Sequence, residues 1–345
     1  MISSSFVPRS AAAALSAILA TLIFTTAGAA RRPRPKFRIK FATLAPDGST
    51  WMKTMHAIDD ELRVRTENRV GLKFYPGGVQ GDEKDVLRKI RNGQLHAGGF
   101  TGFGLGAIVP ESRVQELPFL FKTPDEIDHL RDGLDSYFDA KFSAKGYINL
   151  GWVDVGAIYI FSNQPIRSPA DMTKARMWIW SGDPLAELFF KAFGISPIPL
   201  SAPDVLTSLQ TGIINAVYSS PLACMALQWY TRVHYMTDVP ITYGIGAVLV
   251  SKKALARMNP GDVAILREVA APKLRQLALK TRTQNQEAIE EMKKEGIQIV
   301  PVSPEVRHSF FTTGRAAWKD GVGKLYPADL LARVEQFVSN RHSPK

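Results

Sequence analysis

The chain contains very little cysteine: Cys224 is the only one among 345 residues, so no disulfide can form within the chain. We expect an exported protein, and without disulfides such a protein must be held together by its hydrophobic core. Cys224 itself stands at the start of an apolar helical segment, which favours a buried and unreactive thiol. The 6 histidines are scattered without the spacing of metal ligands, so neither a metal nor another cofactor is expected.

Catalytic and nucleotide-binding motifs are missing as well. The glycine-rich segment 101–106 contains Gly-x-Gly but lacks the third glycine at the offset of a dinucleotide-binding turn, and no Walker lysine motif is present. We interpret its glycines as permitting a tight turn close to a ligand or to another domain. The hydroxyls of residues 218–220 follow a predicted strand, but no general base stands near them in the sequence. An enzyme therefore has no candidate catalytic site here.

Long hydrophobic runs are confined to the N-terminus, where residues 1–29 are predicted to be a signal peptide. The apolar stretch 11–26 is followed by small residues that form a cleavage site. Cleavage after residue 29 and cleavage after residue 30 are both possible. Residues 30–36 form a basic, disordered lead-in that contributes much of the net charge of +11. Elsewhere the charges alternate in sign, so a nucleic-acid partner is not expected. We expect a soluble protein exported to the periplasm.

The pattern of apolar residues predicts alternating strands and helices. Strands are predicted over 37–43, 70–75 and 95–100, with an amphipathic helix after each of the first two. This alternation is typical of a mostly parallel sheet with helices on both faces. Ligands bind such sheets beyond the carboxyl ends of the strands, which predicts that residues 43–49 and 100–104 share one rim.

Capping residues predict where several helices begin. Asp82 with Asp85 forms a capping-box variant, and Asp183 precedes Pro184 at the first helical position. A helical pattern of about 35 residues, long enough to reach ~50 Å, runs over 261–295 and should be kinked or split by its internal proline. After the signal peptide roughly 315 residues remain, which favours two domains bridged by this helix.

Arg176 is the residue that most suggests a ligand. It precedes Trp178 and Trp180 in a strand-like run, and alternate strand residues share a face. An arginine beside two indoles is costly unless an anion pairs with it, so this pattern fits a carboxylate receptor. The structural alternative is a solvent-exposed or salt-bridged arginine at a strand edge, which residue type alone favours.

Segments spread over the whole mature chain, from about Phe37 to the C-terminal helices, resemble the substrate-binding subunits of TRAP transporters, the DctP-type family. The segments that carry this resemblance are Tyr-Pro-Gly-Gly-Val-Gln-Gly-Asp-Glu (75–83), Arg-Asn-Gly-Gln-Leu (91–95), Lys-Ala-Arg (174–176), Pro-Leu-Ser (199–201) and Leu-Gln-Thr-Gly (209–212).

The resemblance implies an α/β fold, a two-domain periplasmic binding protein (type II-like) with a hinge and a long bridging helix. Its connectivity suggests one domain of 37–155 plus 245–285 and another of 156–244 plus 286–345. Such a protein is not an enzyme: it closes over a small organic acid and delivers it to TRAP membrane permease subunits. An additional helical-repeat subunit is a further partner that the resemblance leaves open.

The family's carboxylate-pairing arginine corresponds to Arg176. The resemblance and the residues together suggest a ligand site made by Arg176, Trp178, Thr43, Pro46, Asp47, Phe100, Thr101, Gly156, Tyr218, Ser219 and Ser220. Departures from the family matter, because no second arginine follows Gly156, and Tyr-Ser-Ser-Pro replaces the usual Gln-Glu-Asn-Pro. We therefore expect a monocarboxylate with a hydrophobic or aromatic body. The alternatives are an exported hydrolase-like enzyme acting on an anionic substrate and a basic structural or nucleic-acid-associated protein.

Overall fold

The structure, a computed structural model, describes Met1 and residues 33–339. The predicted signal peptide and the start of the basic lead-in lie outside the described residues. Contacts divide the chain into Met1–Arg34 and a unit that begins at Pro35, whose fold is described below. None of the helices in the described part of the chain combines the length and the apolar character that crossing a membrane requires.

The strands and helices alternate along the chain. The strands are β1 (Phe37–Ala42), β2 (Val70–Tyr75), β3 (Ala97–Thr101), β4 (Tyr147–Ser162), β5 (Trp178–Trp180), β6 (Ile198–Leu200), β7 (Ala216–Ser219), β8 (Tyr235–Thr237), β9 (Thr242–Ser251) and β10 (Gln298–Val300). The α-helices are α1 (Thr50–Arg65), α2 (Glu83–Arg91), α3 (Gly102–Ile108), α4 (Pro124–Ala144), α5 (Pro169–Met172), α6 (Pro184–Ala192), α7 (Val205–Gln210), α8 (Pro221–Ala226), α9 (Lys252–Leu255), α10 (Pro260–Lys294), α11 (Pro304–Gly321) and α12 (Ala328–Ser339). Three 3₁₀ segments, Pro110–Glu116, Ala202–Asp204 and Trp229–Arg232, lie between them.

The main sheet is mixed rather than mostly parallel. Its order is β10-β8-β4-β9-β3-β1-β2, and β7 also pairs with β4. β1 is parallel to β2 and β3, but β9 is antiparallel to both β3 and β4. Beyond β4, β7 and β8 run antiparallel to it, and β10 is parallel to β8. The predicted mostly parallel sheet was wrong at β4 and β9, because β9 runs antiparallel to both of its neighbours, β3 and β4.

Strand β4 joins the two sides of this sheet. The apolar pattern of residues 150–155 and 159–162 predicts two short strands, but one strand of 16 residues is present. Register shifts between Asn149 and Gly151 and between Asp154 and Gly156 interrupt its pairing with β9. Its last four residues, Tyr159–Ser162, pair with β7 instead. Bulges of this kind bend a strand and increase its twist, so one strand serves both parts of the sheet.

The predicted helix starts are confirmed at both capping sites. Asp82 and Asp85 form the reciprocal capping box of α2, and Asp183 caps α6 by accepting from the backbone of Leu185 and Ala186. The long helix α10 is also present, but it continues through Pro272 without being split.

Helix α10 packs into two separate hydrophobic clusters. Leu266 and Leu274 belong to the cluster formed with β1, β2 and α1, whereas Met292 belongs to the cluster around Trp178 and Trp229. The predicted limits of the two domains stay a prediction. C-terminal side chains from Trp318 onward pack with helix α4, which is a contact between the last helices and the first half of the chain.

Candidate binding cleft

A cleft of about 870 Å³ lies where the two parts of the sheet face each other. One wall comes from the carboxyl ends of β1 and β3, through residues 43–46 and 100–101. The opposite wall comes from β5, the end of β7 with the following Ser220, and helix α6. Residues 277–291 of α10 close one side. The rim predicted from the carboxyl ends of parallel strands is therefore present as one wall of the cleft.

Aromatic side chains dominate the wall contributed by β5 and its neighbours. Trp178 is almost fully buried and stacks on Tyr218 with ring centroids 5.0 Å apart, while Trp229 meets it edge-on at 5.2 Å. Trp180 stacks on Phe103 from the opposite wall at 4.8 Å. All five of these side chains line the cleft. Such a surface favours a ligand with a flat or apolar body.

Within the described part of the chain, Arg113 is the only arginine, lysine or histidine that lines the cleft. Its guanidinium is 3.0 Å from Asp183 and 2.9 Å from Glu116, and all three residues are buried. Its Nε has no hydrogen-bond partner among the described residues. Burial lowers the pKa of Arg113, but the carboxylates of Asp183 and Glu116 raise it, and the net direction is upward. The arginine stays charged, with one donor unused.

Glu83 is a second buried acid in the wall of the cleft. Its carboxylate accepts from the backbone N–H groups of Thr101 at 2.8 Å and Gly104 at 2.7 Å, and from the Thr101 hydroxyl at 3.1 Å. Burial raises the pKa of Glu83 well above its ordinary value, although the Thr101 N–H opposes this, and the nearby Asp82 carboxylate adds to the rise. Glu83 thus holds the start of α3 in place from outside the helix.

The glycine-rich segment owes its composition to these side chains. It begins helix α3 instead of forming the turn that the sequence suggested. A Cβ at Gly102 would collide with the Glu116 carboxylate, one at Gly104 with Glu83, and one at Gly106 with Arg113. The three glycines therefore let a polar cluster lie directly against the helix backbone.

The structure does not bring Arg176 to the cleft. β5 begins only at Trp178, and Arg176 precedes it as an exposed residue. Its Nε donates to the carbonyl of Gly212 at 3.0 Å, and its backbone N–H donates to the Asn215 side chain at 2.7 Å. The predicted shared face is not present, because Arg176 is exposed whereas Met177, Trp178 and Ile179 are all buried and burial does not alternate along this segment.

Two other predicted site residues also lie outside the lining. Asp47 is exposed and accepts from the backbone of Gly48 at 3.1 Å. Gly156 occupies the bulge in β4 with φ +110°, where a Cβ would collide with the side chain of Asn285. The predicted residues that do line the cleft are Thr43, Pro46, Phe100, Thr101, Trp178, Tyr218, Ser219 and Ser220.

Direct contacts connect the two walls. The Trp180 indole N–H donates to Asp82 at 2.7 Å, and the same carboxylate oxygen accepts from the backbone of Ala202 at 3.0 Å. The Lys84 ammonium donates to the carbonyls of Ser181 at 3.2 Å and Gly182 at 3.1 Å. Together with the Arg113–Asp183 ion pair, these bonds hold the cleft in a closed arrangement.

A buried ionic network lies where β4 bends. Asp154 accepts from Arg131 at 2.6 Å, from the Tyr243 hydroxyl at 2.7 Å and from Arg282 at 2.6 Å. Arg282 also makes a bidentate pair with Asp128. The network ties β4 to α4, β9 and α10, and it neutralises the one carboxylate that β4 presents to the cleft.

Sequence reasoning did not single out Arg113, Glu116 or Glu83. Arg113 and Glu116 stand in a short 3₁₀ segment without periodicity, and Glu83 looked like an ordinary first-turn acid of α2. The spacing Gly-x-Gly-x-Gly was the available signal, because glycines at alternate positions of one segment mark a close approach by other groups.

Residues 41–324 match the family described as bacterial extracellular solute-binding protein, family 7. The chain belongs to this family. Membership confirms the expected resemblance, and it confirms that the chain is a solute-binding protein rather than an enzyme.

Similar sequences include a solute-binding protein of Chromohalobacter salexigens, which is 26% identical over 220 residues. That alignment spans 63% of this chain and 65% of the relative, so slightly less than two thirds of the relative's length is matched. The 2,3-diketo-L-gulonate-binding periplasmic protein YiaO of Escherichia coli is 22% identical over 70% of this chain and 74% of its own.

Solved structures share the fold. The sugar acid binding protein DctPAm of Advenella mimigardefordensis, in complex with galactonate, superposes with a TM-score of 0.83 at 19% identity. The superposition covers 89% of this chain and 99% of that protein. The two-part α/β architecture with a curled mixed sheet is thus that of TRAP periplasmic solute-binding proteins. Among the described residues, no group of three or more His, Cys, Asp or Glu side chains is arranged to hold a metal ion.

Proposed function

We propose that this chain is the periplasmic receptor of a TRAP-type transporter, which captures an organic acid with a hydrophobic or aromatic body and delivers it to membrane permease subunits. The observation that carries the proposal is the cleft of about 870 Å³, lined by aromatic rings and holding one arginine. The family and the names of the relatives, which include periplasmic and sugar-acid-binding proteins, support the receptor role.

Arg113 is the proposed partner of the ligand's carboxylate. It is buried in the wall of the cleft, and its Nε has no hydrogen-bond partner among the described residues. Arg176, which the sequence favoured for this role, lies outside the cleft and is exposed. A guanidinium matches the planar geometry of a carboxylate, and the surrounding aromatic rings exclude water from the pair.

The apolar wall would supply most of the affinity. Micromolar binding corresponds to about −8 kcal/mol, and one charge-assisted hydrogen bond contributes about 1.5–3 kcal/mol. At about 25 cal/mol per Å², burying roughly 200 Å² of apolar ligand surface adds about 5 kcal/mol. A phenyl-sized group between Trp178, Tyr218 and Trp180 fits this requirement, whereas a small polar dicarboxylate does not.

The domain limits, the permease and a helical-repeat accessory subunit also belong to this proposal. Domains of 37–155 plus 245–285 and of 156–244 plus 286–345 would meet near the bend of β4. The ionic network around Asp154 supports a hinge there, because it ties both long strands to α10. Export by the N-terminal signal would place the receptor in the periplasm.

Two measurements test the proposal. Native mass spectrometry of the freshly purified protein should show a retained organic acid, and calorimetry should show 3-phenylpropanoate binding more tightly than succinate. Arg113→Gln should weaken 3-phenylpropanoate binding at least tenfold, whereas Arg176→Gln should not change it.

Arg113→Lys, which keeps the positive charge, separates a lost ligand contact from lost folding, and thermal melting of each variant checks the fold. Tighter binding of succinate than of 3-phenylpropanoate would overturn the hydrophobic ligand class. Loss of binding in Arg176→Gln but not in Arg113→Gln would return the carboxylate to Arg176.

A further inference from the structure

We infer that the captured acid also carries a positively charged group and binds as a zwitterion, with its carboxylate at Arg113 and its cationic group at Glu83. The inference rests on the proposed function, because it adds a second charge to the same ligand. It assigns Glu83 as a specificity-determining residue.

The first argument is the balance of charge in the cleft. Arg113 is the one basic side chain among the described lining residues, and it already contacts the carboxylates of Glu116 and Asp183. Glu83 adds a third acid to the cleft, and Glu287 and Glu291 of α10 line it as well, although Glu291 is paired with Lys294. A ligand that brought only a carboxylate would add negative charge to a site that already has an excess of it.

Second, among the residues that the structure describes, no cationic side chain contacts the carboxylate of Glu83. Its described contacts are with the backbone of Thr101 and Gly104 and the Thr101 hydroxyl. The neighbouring Lys84 turns away and donates to the carbonyls of Ser181 and Gly182. A buried carboxylate that faces a ligand cleft without a cationic partner is suited to receive one from the ligand.

The third argument is the position of Glu83 relative to Arg113 and the aromatic rings. Glu83 is close enough to Arg113 to raise the pKa of that guanidinium, but the two do not form an ion pair. The stacked rings of Phe103 and Trp180 line the same cleft, and the Lys84 ammonium already lies over Phe103, 5.0 Å from its ring centroid, so cations are favoured beside these rings. An amino acid with an apolar side chain supplies the carboxylate, the ammonium group and the apolar body that this cleft would receive.

Three probes that differ in one charged group test the inference by calorimetry at neutral pH: L-phenylalanine, 3-phenylpropanoate and 2-phenylethylamine. We expect L-phenylalanine to bind at least tenfold more tightly than either singly charged probe. Glu83→Gln should weaken the binding of L-phenylalanine at least tenfold more than it weakens the binding of 3-phenylpropanoate. Glu295→Gln, an exposed acid outside the cleft, is the matched control and should bind like the unmodified protein.

The outcomes separate the two proposals. If 3-phenylpropanoate binds as tightly as L-phenylalanine or more tightly, the zwitterion inference is overturned while the proposed function stands. If 2-phenylethylamine binds most tightly, or if none of the three binds, the proposed carboxylate receptor falls and the inference with it. Should Glu83→Gln fail to fold, the ranking of the three probes on the unmodified protein decides the question alone.

Discussion

Replacing Gly102 by alanine tests the packing of the polar cluster against helix α3. The new Cβ would lie closer than 3.0 Å to the carboxylate of Glu116, a separation that real Cβ atoms essentially never show. That carboxylate cannot move aside freely, because it accepts from the Ile245 backbone at 2.8 Å and from Arg113 at 2.9 Å. Either the helix start shifts or these bonds break.

The magnitude follows from opposing contributions. Overpacking a buried site costs about 1–3 kcal/mol, and a broken hydrogen bond to a charged group costs about 1.5–3 kcal/mol. Alanine in place of glycine within a helix returns about 1 kcal/mol. We expect the free energy of unfolding to fall by about 2–4 kcal/mol, which lowers the melting temperature by roughly 3–6 °C.

Chemical denaturation at constant m-value measures this loss, with Gly261→Ala as the matched control. Gly261 is exposed near the start of α10, and its nearest contact to a new Cβ is at an ordinary 3.5 Å, so that variant should be neutral or slightly stabilised. In a double-mutant cycle, Glu116→Ala should cancel part of the cost of Gly102→Ala, because the clash is then gone. The reasoning is refuted if Gly102→Ala and Gly261→Ala differ by less than about 0.5 kcal/mol, the usual size of a neutral surface change.

Three further predictions follow from the same structure. Arg176→Ala should leave both the unfolding free energy, within about 0.5 kcal/mol, and the calorimetric affinity for the retained ligand unchanged; a tenfold loss of affinity would contradict its exposed position. Burial raises the pKa of Glu83, so the folded state keeps the Glu83 proton to higher pH than the unfolded state does. The free energy of unfolding should therefore fall as the pH rises from the ordinary Glu83 pKa of 4.5 through the folded-state pKa. The loss is about 1.4 kcal/mol for each pH unit that separates the two pKa values. Denaturation across this pH range should show a shallower decline in Glu83→Gln than in the control Glu295→Gln, and equal slopes would speak against it. Trp180→Phe removes the 2.7 Å bond to Asp82, and we expect about tenfold weaker ligand binding, since a bond to a charged group is worth about 1.5–3 kcal/mol; unchanged affinity would show that this bond does not support closure.

Local signals in the sequence were sufficient for the ends of elements. The capping box of Asp82 and Asp85 and the Asp183–Pro184 helix start depend on residues within one turn of each other, so they could be identified without a structure. The strand Val70–Tyr75 and the long helix α10 have strong apolar patterns and were found for the same reason.

The site depended on contacts that no local pattern records. Arg113 meets Asp183 across 70 positions of the chain, and Glu83 meets Thr101 across 18. Alternation suggested that Arg176 shares a face with Trp178, but Arg176 is exposed while Met177, Trp178 and Ile179 are all buried, so the burial of this segment does not follow the strand period. The sequence indicated the aromatic wall because Trp178 and Trp180 stand two positions apart in one strand, whereas it did not indicate the charged partners.

The burial of Cys224 makes this chain convenient for spectroscopy. The thiol has no exposed surface, and burial raises its pKa, so maleimide or nitroxide reagents will not reach it while the protein is folded. Since the sequence contains no other cysteine, thiols introduced at the exposed positions Val79 and Ile213 would be the only sites labelled. A pair of spin labels there would report the distance between the loop after β2 and the segment before β7, with and without ligand, in a protein that needs no background cysteine removed.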